Sequence, residues 1–194
     1  MEVHTSFVKI PKAERDSIYL LMTGFCGLSG TALIAKKKGD ELMRYYSSAY
    51  VEDMKKLYIS EGEDEFDSLL REIAPDAQVL TMGEGGIETA LWTVAEETHA
   101  GFTVDYQAIP IRQETVEVCE FYHLNPYRLE SKRCRLIALK NGGSLAAALT
   151  AVGTPAAVIG KLNATNDRIL LYDNGEKSRC LDRPSGDELR KIGL

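Results

Sequence analysis

Two glycine-rich turns hold the residues whose types and spacing could do chemistry. The first, GFCGLSGT over residues 24–31, sets Gly24, Gly27 and Gly30 three apart; the second is Gly83-Glu84-Gly85-Gly86. Each follows a short apolar run and precedes a helical pattern. Glycine reaches φ > 0 without strain and lets a ligand come close to the backbone. The helix that follows aims unpaired N–H groups at the turn, which favours an anion. Two such turns in one domain could cradle a phosphorylated ligand. The alternative is that both are tight turns needed for packing. Neither matches the P-loop pattern or the dinucleotide fingerprint, and no lysine follows Gly30 where a phosphate-binding lysine would stand. Glu84, the acid between glycines, either contacts a ligand or metal or faces water.

Other chemistry is thinly signalled. His4, His99 and His123 are scattered, and no nucleophile is marked by its neighbours, so no catalytic residue is assigned. Cys26, Cys119, Cys134 and Cys180 are far apart, without the paired spacing of a zinc site. They read as mostly buried, inert thiols in a reducing cytoplasm. With 23 Lys and Arg against 29 Asp and Glu, the net charge is −6, which argues against nucleic-acid or anionic-membrane partners. No stretch reaches the roughly 18 to 20 apolar residues of a membrane span, and the N-terminus lacks the apolar core of a secretory signal.

The turns need elements to hold them. Residues 18–23 read as a buried strand running into the first turn. Residues 31–35 read as one or two helical turns, closed by Lys36-Lys37-Lys38 and capped by Gly39. A helix is predicted from Glu41 to about Tyr58, and another over the acidic stretch SEGEDEFDSLLREI, stopped by Pro75. Residues 77–82 are a short strand before the second turn. Residues 87–99 are the clearest helix, ended by Gly101. A strand at 102–105, a helix after Arg112 and a turn at Asn125-Pro126-Tyr127 follow. Residues 134–139 form a strand and 141–143 a turn, with Ser144 as cap of a helix to Ala151. Residues 155–159 form another strand, and Asn174-Gly175 joins 168–172 to 177–181 as a hairpin. The polar tail reads as loosely held. The class is therefore α+β: two layers, a mixed sheet, and helices mainly on one face. Residues 1–17 form an extension, 18–183 the domain and 184–194 the tail.

The segment GEGGIETALWTVAEETHAGFTVD, followed by AIPIRQETVEVCEFYHLNPYRLES, resembles the superfamily of aminoimidazole ribonucleotide synthase and the hydrogenase-maturation carbamoyl dehydratase. It looks closest to the synthase-related branch. LIALKNGG through TPAAVIGKL continues the likeness, and GFCGLSGTALIAKK resembles the opening of the family's C-terminal domain. The resemblance implies a C-terminal domain that closes over an ATP site, with magnesium in the family, through its glycine loops. By resemblance, Gly24, Gly27, Gly30, Thr31, Gly83, Glu84, Gly85 and Gly86 would bind phosphate or nucleotide. The sequence also departs from the pattern. Leu80 and Thr81 stand where the related branch carries a His-Asp pair, and Lys132-Arg133-Cys134 where a Gly is expected. Against the family pattern, the chain is also expected to lack an N-terminal domain before Ile18, and its Lys191-Ile192-Gly193-Leu194 end lacks the dehydratase's cysteine. The expectation is a ligand- or partner-binding module without full catalytic apparatus. The alternative is one half of a split ATP-dependent enzyme. Partners expected are a second copy or a separate N-terminal-domain-like chain.

Overall fold

The computed structural model describes residues 7–57 and 63–194. His4, Tyr58 and residues 60–62 of the acidic run lie outside the described residues. Among the described residues, seven strands form one sheet in the order β2-β4-β1-β5-β3-β6-β7. They are β1 (Tyr19–Thr23), β2 (Gln78–Thr81), β3 (Gly101–Asp105), β4 (Arg135–Leu139), β5 (Ala156–Asn163), β6 (Arg168–Tyr172) and β7 (Lys177–Cys180). β3 and β6 pair in parallel and every other neighbour is antiparallel, so the sheet is mixed. β1 lies between β4 and β5. Leu20, Leu21 and Met22 are all fully buried, because both faces of this strand are covered. That is why its apolar residues run on without alternating.

Among the described residues, six α-helices accompany the sheet: α1 (Leu28–Leu42), α2 (Ser48–Met54), α3 (Glu63–Ile73), α4 (Gly86–Thr98), α5 (Gln113–Tyr122) and α6 (Gly142–Ala151). α4 lays Ile87, Leu91 and Val94 on the face that carries Leu20, Met22, Phe102 and Leu136. Through the 3-10 turn Pro126–Arg128, α1, α2 and α5 join this side as a second cluster around Ile34, Met54, Val118 and Leu129. α3 and α6 cover part of the opposite face, with Phe66, Leu70, Leu145 and Leu149 against Leu21, Val79 and Ile137. The α+β class with a mixed sheet stands.

Several local readings change. α1 does not stop at Gly39 but continues to Leu42 through a kink at Lys38 (φ −123°, ψ 24°). Gly39 is there for close approach: a Cβ would lie 3.0 Å from Lys55 Cε of the following helical segment. The long helix expected from Glu41 is instead the short α2, whose N-cap Ser47 accepts the N–H of Tyr50. His99, in the left-handed conformation, ends α4, while Gly101 belongs to β3. α6 begins at Gly142, so Ser144 lies inside it rather than at its cap. The tail is not loose. Asp187, Glu188 and Leu189 are buried, and a 3-10 helix spans Glu188–Ile192. Phe7 and Ile10 of the N-terminal segment also enter the main core.

Candidate functional site

The first turn takes β1 into α1 with Gly27 as N-cap at φ 75°. The amides of its glycines are already engaged. Gly24 N–H donates to Pro155 O and Cys26 N–H to Pro110 O, both at 2.8 Å. Gly27 N–H donates to Ser131 Oγ at 2.8 Å and Gly30 N–H to Glu130 O at 3.0 Å. The N–H of Thr31 returns to Gly27 O, and its hydroxyl meets that carbonyl and Thr115 Oγ1 at 2.9 Å. The space is taken as well: a Cβ on Gly30 would lie 2.5 Å from Leu129 Cγ. This turn clamps the segment that contains Leu129, Glu130 and Ser131.

The second turn takes β2 into α4, with Gly85 as N-cap at φ 75°. Its carbonyl at Gly83 accepts the N–H of Ser131 at 3.0 Å, so one serine bridges the two turns. The difference lies at Gly85. Its N–H donates at 2.7 Å to Oδ2 of Asp187, from the tail. The other oxygen of Asp187 accepts the N–H of Leu189 at 2.9 Å. Glu188 accepts the N–H of Asn125 at 3.1 Å and pairs with Lys191 at 2.6 Å. Glu84 is exposed and lies 3.4 Å from Arg190. The N-terminus of a helix attracts a carboxylate through its free amides and dipole. Burial pushes the Asp187 carboxyl above its ordinary range. The two amides oppose that, and the nearby Glu130 and Glu84 add to it.

Beside the second turn lies a charged network that sequence reasoning did not single out. Glu88, in the first turn of α4, is fully buried. It receives Tyr106 Oη and Arg128 Nε at 2.5 Å and Arg179 Nη2 at 3.1 Å. Tyr106 packs between the tilted rings of Tyr127 and Tyr172, with ring centroids 4.1 and 4.9 Å away. Burial works to raise the Glu88 carboxyl, but these donors and cations outweigh it and hold it below its ordinary range. Every oxygen of this carboxylate is satisfied, so the network fixes α4, the 126–128 turn and β7 relative to one another. Its partners are 18, 40 and 91 residues from Glu88, beyond any local pattern.

His99 and His123 end α4 and α5 in the left-handed conformation. Burial raises the thiols of Cys26 to about 11 and of Cys119 and Cys134 to about 12, which keeps them protonated and unreactive. Cys180 is exposed on β7. Among the described residues, no three His, Cys, Asp or Glu side chains gather to hold a metal ion, and no helix is long and apolar enough to cross a membrane. The residues missed from sequence are Glu130, Ser131, Asp187 and Glu88. Of these, Asp187 had a local signal, since an Asp just before Glu-Leu is an ordinary N-cap pattern.

No family model matches the chain. The similarity is to carbamoyl dehydratase HypE. The protein of that name from Rhizobium leguminosarum bv. viciae is 31% identical over 113 residues, 56% of this chain and 32% of that protein. The chain thus spans about a third of the length of the curated relatives it matches. The crystal structure of Escherichia coli HypE aligns with a TM-score of 0.71 at 20% identity, covering 95% of this chain and 55% of that one. A HypE–HypF complex aligns at 0.69 and 15% identity, covering 88% and 54%. HypE in complex with ATP aligns at 0.66 and 18% identity, covering 88% and 52%. The fold is therefore that of a little over half of HypE.

Proposed function

We propose that this chain is a ligand- or partner-binding module built on the HypE-like fold, without the full catalytic apparatus, and that the turn at residues 83–86 is where an anionic group docks. The observation that carries this reading is the 2.7 Å bond from Gly85 N–H to the Asp187 carboxylate. The turn already holds an anion, one supplied by the chain itself. By contrast, the paired amides of Gly24, Gly27, Gly30 and Thr31 leave the first turn a clamp on the segment that shapes the second. These two turns do not by themselves offer the donors a nucleotide triphosphate needs, so no step through ATP or magnesium is derived. The ligand that fits is a single phosphate or carboxylate group, ATP entering only through such a group.

Mass action supplies the test. A ligand at about 100 times its dissociation constant adds roughly 2.7 kcal/mol, and each kcal/mol moves the melting midpoint of a chain this size by about 2 to 4 °C. Inorganic phosphate, ADP and ATP should raise the midpoint by several degrees. Asp187→Ala should enlarge that rise, since it vacates the Gly85 amide, and Gly85→Ala should reduce it. Midpoints that none of the three probes moves, in wild type or in Asp187→Ala, would refute ligand binding here.

A second reading, half of a split ATP-dependent enzyme, is favoured by one observation: the chain matches only about a third of its relatives' length. Under the first reading the purified chain releases no phosphate from ATP above background with magnesium present. Turnover that appears only on adding a chain resembling the rest of HypE supports the second. Turnover by this chain alone, abolished in Gly85→Trp, overturns the first.

A further inference from the structure

The fold leaves the Lys36-Lys37-Lys38 run without its expected role. Basic residues in the last turn of a helix offset its dipole, but α1 runs on to Leu42 and its last turn carries none. A regular helix would offer the lysines a second use, since residues four apart are neighbours on its surface. Lys36 would then pair with Asp40, Lys37 with Glu41 and Asp40 with Arg44. None of these ion pairs forms among the described residues. The kink at Lys38 stands between the lysines and the acids and breaks the regular repeat.

The two sides of the kink face one space instead. The lysine run before it, and Asp40, Glu41 and Arg44 after it, line a polar hollow of about 400 Å³, with Lys55 from the C-cap of α2 completing the wall. Gly39 lines it too. Its missing side chain admits Lys55, whose Nζ would lie 3.2 Å from a Cβ. Glu52, which is not part of the wall, holds Lys55 at 2.6 Å. Lys38 lies over the Tyr122 ring, 5.9 Å from its centroid, and keeps its charge there. Lys36, Lys37, Lys38 and Arg44 therefore face only Asp40 and Glu41, and two positive charges in the hollow stay uncompensated.

We propose that this hollow is a binding site for a small metabolite carrying a phosphate group. A phosphate monoester has a charge of about −1.5 to −2 at neutral pH, which matches the excess. Lys and Arg side chains are its ordinary donors. The volume lies at the small end of ligand sites, roughly 300 to 1,000 Å³. The wider charge pattern selects a compact ligand over a macromolecule. The hollow holds five of the chain's 23 Lys and Arg but only two of its 29 Asp and Glu. It is a positive spot on a chain of net charge −6, so an acidic protein or a nucleic acid spreading beyond it would meet repulsion. The site makes no use of the glycine turns, and α1 carries it about 15 Å from the first of them.

Pyrophosphate, with magnesium omitted, is the probe, and two measurements on the full chain test the site. In acetylation footprinting it should slow modification of Lys36 and Lys37 several-fold and leave Lys9 and Lys12 unchanged. In calorimetric titration, Lys37→Gln and Arg44→Gln should each weaken binding about tenfold, the loss of one charge-assisted hydrogen bond. Asp40→Asn should tighten it, and Lys12→Gln, which changes the net charge equally, should leave it alone. Absence of protection at Lys36 and Lys37 overturns the proposal, as does an affinity that ignores Lys37→Gln and Arg44→Gln or falls as much with Lys12→Gln. A polyglutamate peptide or an oligonucleotide that binds through these residues more tightly than pyrophosphate overturns it in favour of a macromolecule. Binding strengthened by Asp187→Ala and indifferent to the hollow variants refutes this site and leaves the one at residues 83–86 standing. Protection of Lys36 and Lys37 that is unchanged in Asp187→Ala supports the hollow whatever the fate of that turn.

Discussion

The two glycine turns have the same backbone plan and different fates. Each joins a strand to a helix through a glycine at φ 75°, and both touch Ser131. At the first turn, the glycine amides and the space above the glycines are taken by other parts of the domain. At the second, the corresponding amide reaches a carboxylate from the far end of the chain. Glycine spacing thus encodes a backbone path and a closeness of approach. What receives the N–H groups is decided by whichever segment folds over them.

Substitutions sharpen the contrast. The largest effect should come from Gly86→Ala, where a Cβ would lie 2.6 and 2.7 Å from the carbonyl oxygens of Tyr127 and Leu129, at φ 57°. Backbone cannot yield as a side chain can, so strain and overpacking together should cost about 3 kcal/mol, or roughly 6 to 12 °C in melting midpoint. Gly27→Ala should follow at about 2 kcal/mol, since its closest clash, 2.8 Å, is with the methyl of Thr115. Gly83 has nothing within 4 Å of its would-be Cβ, so Gly83→Ala should be neutral or stabilise by about 0.5 kcal/mol. Thermal melts of the three would rank them; a Gly83→Ala as damaging as Gly86→Ala would show that the second turn is as closed as the first.

A smaller effect separates the two buried acids beside that turn. The raised carboxyl of Asp187 gives stability that is fully present below the ordinary Asp value of 3.8 and is lost as pH rises through its folded value. Asp187→Asn keeps an acceptor for Gly85 N–H without the charge. Wild type should therefore lose ground to Asp187→Asn on going from acid to neutral pH. Glu88 is held low, so its contribution is present above the ordinary Glu value of 4.5 and is lost as pH falls through its folded value. Wild type should accordingly lose its advantage over Glu88→Gln on acidification. Denaturant melts across this range read both signs, and the same sign for both acids would contradict the geometry.

Much of the fold was legible in the sequence because it depends on neighbours along the chain. Asn174-Gly175 gave the hairpin, and the apolar face of residues 87–95 gave α4. Gly39 misled because a basic run and a glycine are the ordinary end of a helix, whereas here the glycine admits Lys55 and Val51 from α2. The tail misled because Asp187 and Glu188 look like solvent-facing acids until the amides of Gly85 and Asn125 are placed against them. Both turns were visible in the sequence as glycine runs. Whether either was open to a ligand was not, since that depends on residues about 100 positions away.

The sheet order has a consequence for how the chain is made. β1 leaves the ribosome before the other strands of this sheet, yet its neighbours are β4 and β5, and Tyr19 is matched with Leu139 and Lys161. At about 5 to 20 residues per second of synthesis, roughly 6 to 24 s separate the appearance of Tyr19 from that of its first partner. Throughout that interval Leu20, Leu21 and Met22, fully buried in the finished domain, have no strand to lie against. The centre of this sheet is thus translated early and completed late, and the nascent chain must keep its most apolar strand from pairing elsewhere in the meantime.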